Sequence, residues 1–149
     1  MSSSIALQGI NRLFLDTSPI VYYVEENTNY VAAVEGIFDQ LDTGALTGVI
    51  SAVTLAECLV MPLRQDRQEL KQAFLDLLLH SDSLIFISLD DNVAIQAADL
   101  RARYNLPLAD AFQAAAALVA GCDAFLTNDV MLKRVVELNV IVLGEFSAE

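Results

Sequence analysis

The sequence predicts an α/β fold in which a parallel sheet of about five strands carries helices on both faces. One observation is a series of short, mostly apolar runs, as expected for parallel strands that are buried on both faces. The other is that segments with helical spacing of apolar residues separate these runs. The predicted strands are Arg12–Leu15, Thr47–Ser51, Leu84–Ser88, Ala124–Thr127 and Val140–Leu143.

Helical segments are predicted between the strands. The first begins near Thr17-Ser18-Pro19, where a capping residue precedes a proline, a common helix start. Val31–Asp42 places its apolar residues along one face. The predicted helices are Pro19–Glu26, Val31–Asp42, Val53–Leu63, Asp66–His80, Asn92–Tyr104, Leu108–Ala120 and Met131–Leu138.

The chain has 149 residues, of which 55% are hydrophobic, so we expect residues 1–149 to form a single domain. No apolar stretch reaches the roughly 18–20 residues of a membrane span, and no signal peptide is visible at the N-terminus. We therefore expect a soluble cytoplasmic protein. Cys58 and Cys122 fit no metal-spacing pattern and His80 is the single histidine, which argues against a His/Cys zinc site and a Ser-His-Asp triad.

The charge balance is strongly acidic, with 8 basic against 20 acidic residues and a net charge of -12. Such a balance opposes nucleic-acid binding, because phosphate contacts supply much of that affinity. Net charge nevertheless describes long-range steering rather than the chemistry of a site. The clustered basic residues are candidates for a nucleic-acid path or for ordinary solvated surface; they are Arg64, Arg67 and Lys71, then Arg101 and Arg103, then Lys133 and Arg134.

Four acids stand out by position. Asp16 and Asp129 follow the first and fourth strands, where each could simply cap the next helix. Asp110 opens an alanine-rich helix, where an acid complements the helix dipole. Glu57 is the only charge in the first turns after the second strand, and a charge in an apolar segment is usually paired or bound to a metal unless it reaches solvent.

These acids converge if the strand order is 3-2-1-4-5, because the first, second and fourth strands are then neighbours and ligands bind beyond their carboxyl ends. Two carboxylates ~4 Å apart repel by about 4 kcal/mol at an effective dielectric of 20. Protons or a cation must therefore neutralise such a group. Oxygen ligands without His or Cys suit Mg²⁺ or Mn²⁺.

Four segments in order along the chain resemble the motifs of PIN-domain proteins, and the size resembles that of VapC-like ribonuclease toxins. The most specific of them is Leu106-Pro107-Leu108-Ala109-Asp110-Ala111. The other three are Leu15-Asp16-Thr17-Ser18, Thr54-Leu55-Ala56-Glu57 and Leu126-Thr127-Asn128-Asp129.

The resemblance implies a three-layer α/β/α fold and Mg²⁺- or Mn²⁺-dependent cleavage of RNA phosphodiester bonds. It also implies a homodimer and a small antitoxin partner, which we expect on an exposed apolar groove among the first four helices. The implied catalytic and metal-binding residues are Asp16, Glu57, Asp110 and Asp129, and the supporting polar residues are Thr17, Thr127 and Asn128. Asn128 stands where the family often has Arg or another polar residue.

Other functions fit less well. A PIN-like module that binds metal or protein without cleaving keeps the fold and loses the activity. A phosphoacceptor signalling domain needs paired acids after the first strand and a Lys after the fifth, but this chain has Asp16 alone and Gly144. A phosphohydrolase with an Asp-x-Asp nucleophile is disfavoured because position 18 is Ser18.

Overall fold

The structure, a computed structural model, describes residues 7–146. Its sheet has five parallel strands in the order β3-β2-β1-β4-β5, which confirms the predicted order. The strands are β1 (Arg12–Leu15), β2 (Thr47–Ser51), β3 (Leu84–Ile87), β4 (Ala124–Thr127) and β5 (Val140–Val142). The edge strands β3 and β5 end one residue earlier than predicted.

Six α-helices connect and cover the strands. They are α1 (Thr17–Val24), α2 (Val31–Asp42), α3 (Ala52–Arg64), α4 (Gln68–His80), α5 (Asp91–Tyr104) and α6 (Leu108–Val119). Two 3₁₀ turns, Val130–Arg134 and Leu143–Glu145, flank β5. Between residues 7 and 146, no helix has the combination of length and apolar character required to cross a membrane.

The sheet separates two apolar cores, because successive side chains of a strand point to opposite faces. Leu13 and Leu15 of β1 pack in one core with residues of α1 to α4. Phe14 packs in the other with residues of α5, α6 and the first 3₁₀ turn, and its ring stacks on Phe125 of β4 at 5.1 Å. The result is the predicted three-layer α/β/α arrangement.

Helix α6 packs closely on the sheet because its inner face consists of alanines. Ala111 and Ala114 to Ala117 are completely buried. Small side chains let the helix backbone approach β2 and β4, so that the beginning of α6 lies near the carboxyl ends of the central strands. This placement brings Asp110, in the first turn of α6, towards the predicted site.

The prediction of a helix over Met131–Leu138 was wrong. The chain forms the 3₁₀ turn Val130–Arg134 and then continues irregularly to β5. The 3₁₀ turn brings Leu132 to the core, and Val135 follows it there in extended backbone, with both side chains buried. The adjacent β-branched residues Val135 and Val136 also disfavour continuation of a helix.

The first helix begins two residues earlier than predicted, at Thr17, and ends at Val24 rather than Glu26. Asp16 caps it, since its carboxylate accepts a hydrogen bond from the Thr17 backbone N–H. At the other end, Glu26 has a positive φ of 53°, which is incompatible with a continuing helix.

Candidate active site

A cavity of about 410 Å³ opens at the carboxyl ends of the central strands, where ligands bind in folds of this kind. All four acids and all three polar residues singled out in the sequence line it. The complete lining is Asp16, Thr17, Ser18, Val21, Tyr22, Glu57, Asp110, Thr127, Asn128 and Asp129. We call this the acid cavity. Convergence of the four acids is therefore a property of the structure.

Asp16 is held from two sides. It directly follows β1, and its backbone N–H continues the sheet by donating to the Leu126 carbonyl at 2.9 Å. One carboxylate oxygen accepts from the Thr17 N–H at 2.8 Å, and the other accepts from the Thr127 hydroxyl at 2.7 Å. Asp16 is thus both the cap of α1 and a fixed member of the acid cavity.

Thr17 and Thr127 contact the acids that follow the second and fourth strands. The Thr17 hydroxyl donates to Glu57 Oε1 at 2.6 Å across the cavity. The Thr127 hydroxyl accepts from the Asp129 backbone N–H at 3.1 Å while it donates to Asp16. Asp129 also caps the 3₁₀ turn by accepting from the Met131 N–H at 3.0 Å.

Asp110 differs from the other three acids. No residue in the described range 7–146 donates a hydrogen bond to its carboxylate, although the side chain is half-buried. Burial, the largest cause, and the negative charges of Asp16, Asp129 and Glu57 together raise its pKa to about 6. Among the four acids, a carboxylate that accepts no hydrogen bond and lies beside three others is the one that a proton or a cation stabilises most.

The pKa of Asp16 is also raised, and burial is the largest cause. The hydrogen bonds from Thr127 and the Thr17 backbone oppose that rise, while the charge of Glu57 adds to it. Since neighbouring carboxylates contribute to the raised pKa values of both Asp16 and Asp110, the cavity resists holding these two groups ionised at once. This is the electrostatic condition that sequence analysis predicted for converging carboxylates.

A buried polar group lies beneath the acid cavity, formed by Ser51, Thr54 and Gln113. The Ser51 hydroxyl donates to Gln113 Oε1, and Gln113 Nε2 donates to the Thr54 hydroxyl at 2.8 Å. All three side chains are at most 1% exposed. We call this group the brace, because it ties α6 to the start of α3 one helical turn from Asp110 and from Glu57.

Whether the cavity fits a metal ion can be judged from its donors. They are carboxylate and hydroxyl oxygens, the ligands that Mg²⁺ and Mn²⁺ prefer. The carboxylate of Asp110 also lacks a protein partner within the described chain. As placed, however, no three His, Cys, Asp or Glu side chains of residues 7–146 form a group that could hold one metal ion. The donor chemistry fits a hard cation, and the side-chain positions form no three-ligand cluster.

Several basic residues that the sequence placed near the acids are paired with surface carboxylates instead. Arg103 contacts Asp99 at 2.8 Å and Glu137 at 2.5 Å. Lys133 contacts Glu145 at 2.5 Å. These cations are therefore largely neutralised within the protein, and none of them lines the acid cavity.

The site also contains residues that the motifs did not predict. Val21 and Tyr22 line the acid cavity one helical turn after Thr17 and Ser18, so helical spacing from the motif was the signal that would have found them. Gln113 was also missed. Its signal was an isolated polar side chain in an alanine-rich helix, three residues after Asp110.

Comparison with solved structures shows similar folds. VapBC2 from Rickettsia felis, bound to a DNA fragment from its promoter, has a chain with a TM-score of 0.70 and 19% identity, covering 88% of this chain and 98% of that one. FitAcB from Neisseria gonorrhoeae has a chain with a TM-score of 0.67 and 20% identity, and the alignment covers 90% of this chain and 99% of that one. VapC20 from Mycobacterium tuberculosis, a Sarcin-Ricin loop cleaving toxin, has a TM-score of 0.63 and 15% identity. That alignment covers 76% of this chain and 86% of VapC20.

No curated protein matches the sequence. A family model does match it: the PIN domain model aligns with residues 13–138, a range that runs from β1 almost to β5 and includes all four acids. The fold, the strand order and the acid cavity agree with that match. This chain therefore belongs to the PIN domain family.

Proposed function

We propose that this chain, residues 1–149, is a single PIN domain that acts as a metal-dependent endoribonuclease and as the toxin of a toxin–antitoxin pair. The observation that carries the proposal is the acid cavity. Asp16, Glu57, Asp110 and Asp129 meet in it, and the pKa of Asp110 is raised to about 6 by burial and by the other three. Gathering four carboxylates in one cavity costs electrostatic energy, which a bound cation would offset.

Membership of the PIN domain family supports nuclease chemistry. Support for a toxin comes from the similar folds of chains in VapBC and FitAB complexes and of VapC20, which is described as cleaving the Sarcin-Ricin loop. That the substrate is RNA, and that the metal ion is Mg²⁺ or Mn²⁺, are parts of this proposal.

In the proposed mechanism Asp16 and Asp110 would hold the metal ion directly, because both lie at the ends of rigid elements. Glu57 and Asp129 would contribute ligands directly or through water, and one of them would orient the attacking water. When bound, the cation lowers the pKa of water and neutralises charge that develops on the phosphate. Thr17 and Thr127 fix the carboxylates of Glu57 and Asp16, so these groups need little reorganisation.

Asp110 also determines how the site behaves without an ion. Its raised pKa means that the ion-free cavity retains a proton below about pH 6. Cation binding replaces this proton, and we therefore expect metal affinity to increase with pH up to about 7.

An antitoxin partner is supported by exposed apolar side chains among the first four helices. They include Val60, Met61 and Leu63 of α3 and Leu79 of α4, each more than 40% exposed. Apolar groups of this kind mark surfaces that partner proteins cover. We propose that they form part of the antitoxin groove, that the protein is a homodimer, and that it acts in the cytoplasm.

The first experiment is incubation of the purified protein with a mixed pool of single-stranded RNA and Mg²⁺, Mn²⁺ or EDTA. Asp110→Asn is the test variant. Asp99→Asn is the matched control, because Asp99 is an exposed acid paired with Arg103. We expect metal-dependent cleavage by the wild type and by Asp99→Asn, and cleavage at least about a hundredfold slower by Asp110→Asn with its fold preserved.

The outcome also separates the proposal from a catalytically silent PIN-like module. Saturable Mn²⁺ binding in the wild type without cleavage of RNA would favour the silent module. Absence of Mn²⁺ binding would contradict the proposed metal site. Growth arrest on expression of the wild type, but not of Asp110→Asn, would test the toxin assignment.

A further inference from the structure

The acid cavity presents an electrostatic difficulty for a phosphodiester substrate. Four carboxylates line it, and none of its lining residues within the described chain is Lys or Arg. Phosphate oxygens are usually held by charged or neutral hydrogen-bond donors. If a nucleic-acid strand binds here, as the proposed function requires, part of its contact must come from neutral donors in the cavity wall.

Two of the four hydroxyl groups in the wall already donate hydrogen bonds to carboxylates of the cavity. The Thr17 hydroxyl donates to Glu57, and the Thr127 hydroxyl donates to Asp16. Two hydroxyl groups of the lining remain without an acceptor among residues 7–146, those of Ser18 and Tyr22. Ser18 rotates about a single bond, whereas the hydroxyl of Tyr22 is held in place by its surroundings.

The direction of the Tyr22 hydroxyl follows from its contact with Asn128. The Gly144 backbone N–H can only donate, and it lies 2.8 Å from one end of the Asn128 amide, which must therefore be the oxygen. The NH₂ group then faces the Tyr22 oxygen at 3.0 Å. Tyr22 consequently accepts from Asn128, and its own O–H is left to donate elsewhere.

The ring of Tyr22 is also fixed. It stacks on Tyr30 with 4.7 Å between ring centroids and 19° between planes. Asn128, which stands between Thr127 and Asp129, holds the Tyr22 hydroxyl in the cavity wall that also contains Asp129. Tyr22 thus offers an oriented, uncharged donor at the edge of the acid cavity.

We propose that the Tyr22 hydroxyl donates a hydrogen bond to a non-bridging phosphate oxygen of the strand bound in the acid cavity. This inference rests on the proposed function. A neutral donor suits the site, because an arginine or lysine in the same place would be attracted to the carboxylates and would compete with the metal ion. Asn128 then acts as a positioning residue, since both ends of its amide are occupied within the protein.

The test compares Tyr22→Phe with Tyr30→Phe, which removes a hydroxyl from the other ring of the same stacked pair. Within the described chain the Tyr30 hydroxyl makes no hydrogen bond, so Tyr30→Phe controls for loss of a tyrosine oxygen nearby. For each variant, kcat and KM are measured on single-stranded RNA with Mn²⁺. Strand binding is measured in the Asp110→Asn background, and Mn²⁺ binding is measured without RNA.

We expect Tyr22→Phe to lower kcat/KM about tenfold, the size typical of one hydrogen bond to a charged oxygen. The loss should appear mainly as a higher KM and as weaker strand binding, because the contact already exists in the bound ground state. Mn²⁺ affinity should not change, and Tyr30→Phe should stay within about twofold of the wild type.

Equal kcat/KM values for the two variants would overturn the inference while leaving the nuclease assignment intact. Loss of Mn²⁺ affinity in Tyr22→Phe would also overturn it, since the hydroxyl would then act on the acids. A wild type that neither cleaves nor binds RNA would overturn the proposed function and this inference together.

A second variant tests the direction of the hydrogen bond. Asn128→Asp keeps an acceptor for the Gly144 N–H but replaces the donor that faces Tyr22 by an oxygen, which would capture the Tyr22 O–H. Its added charge should weaken strand binding in any background. The proposal requires a larger loss with Tyr22 present than in the Tyr22→Phe background, and equal losses would contradict it.

Discussion

Two groups of acidic side chains in this protein have opposite properties. In the acid cavity, burial and neighbouring acids raise the pKa of Asp110 to about 6. On the surface between α5 and the segment before β5, Glu137 accepts hydrogen bonds from Arg103 and Tyr104, and its pKa is lowered to about 2. We call Asp99, Arg103, Tyr104 and Glu137 the surface cluster.

The difference lies in what each carboxylate faces. In the surface cluster Arg103 supplies a fixed cation, whose own pKa is raised by Glu137 and Asp99. In the acid cavity the partners are hydroxyls, backbone N–H groups and other acids. The lack of a basic side chain in the cavity lining, rather than the mere presence of acids, therefore distinguishes the proposed functional carboxylates from those of the surface cluster. Carboxylates whose pKa is raised by burial and by neighbouring negative charge are typical of functional sites.

The largest expected difference between the two groups concerns activity. Asp110→Asn should lower the rate of RNA cleavage by about 10²–10⁴-fold, because it removes one charge from the proposed metal and water site. Glu137→Gln, the matched neutral substitution in the surface cluster, should leave the rate within about twofold. Both rates are measured with Mn²⁺ under single-turnover conditions. Similar losses in the two variants would end the distinction between the groups.

The brace should matter more for stability than any single surface pair. Gln113→Leu should lower the free energy of unfolding by about 1–3 kcal/mol, because the buried hydroxyls of Ser51 and Thr54 lose their partner. Urea denaturation measures this change. Gln72→Leu is the control, since Gln72 is exposed and bonds only Asp76. A Gln113 variant as stable as the control would show that the brace does not hold α3 and α6 together.

The raised pKa of Asp110 predicts how stability depends on pH in the ion-free protein. The folded state binds this proton more tightly than the unfolded state, whose pKa is near 3.8. Ionisation therefore opposes folding, and the free energy of unfolding should decrease as pH rises from about 4 to about 6. Thermal unfolding in EDTA measures the slope.

Asp110→Asn should flatten this pH dependence and raise the midpoint of thermal unfolding at pH 7 by about 2–4 °C. Mn²⁺ should remove the same penalty in the wild type and should stabilise the variant much less. If the variant melted below the wild type in EDTA at pH 7, the carboxylate of Asp110 would be stabilising, and our account of the cavity's electrostatics would be wrong.

The smallest effect is expected in the surface cluster. Because the pKa of Glu137 is lowered, its contribution to stability is present above about pH 4.5 and is lost as pH falls towards 2. The group is exposed, so solvent screening limits the contribution. Glu137→Gln should lower the midpoint of thermal unfolding at pH 7 by less than about 2 °C, with no difference at pH 2. A larger loss at pH 7 would mean that the ion pair between Arg103 and Glu137 stabilises the chain segment that leads into β5.

The fold was predictable because its signals are local. Buried parallel strands such as Arg12–Leu15 are mostly apolar runs, and Thr17-Ser18-Pro19 predicts the start of a helix. The last predicted helix, Met131–Leu138, failed because its apolar spacing also suits a short 3₁₀ turn. In the 3₁₀ turn and the residue after it, Leu132 and Val135 are buried without an α-helix. Whether an α-helix or a 3₁₀ turn forms depends on the space between α6 and β5.

The four acids could be singled out from the sequence because each follows or opens an element at the same edge of the sheet. Their hydrogen bonds could not be predicted. The contact between Thr17 and Glu57 joins residues 40 positions apart, and that between Thr127 and Asp16 joins residues 111 positions apart. Such contacts depend on strand order and rotamers, which no local pattern encodes.

Local patterns along the chain specify the alternation of strands and helices, the charge balance and the identity of the acids, because periodicity and residue type act over short distances. Which of those acids lie apart from the basic side chains of residues 7–146 depends on the folded arrangement. Arg103 lies seven residues before Asp110 in the chain, yet it pairs with Glu137. Folding places Asp110 among other carboxylates instead, and electrostatic energy depends on distance in space rather than on separation along the chain.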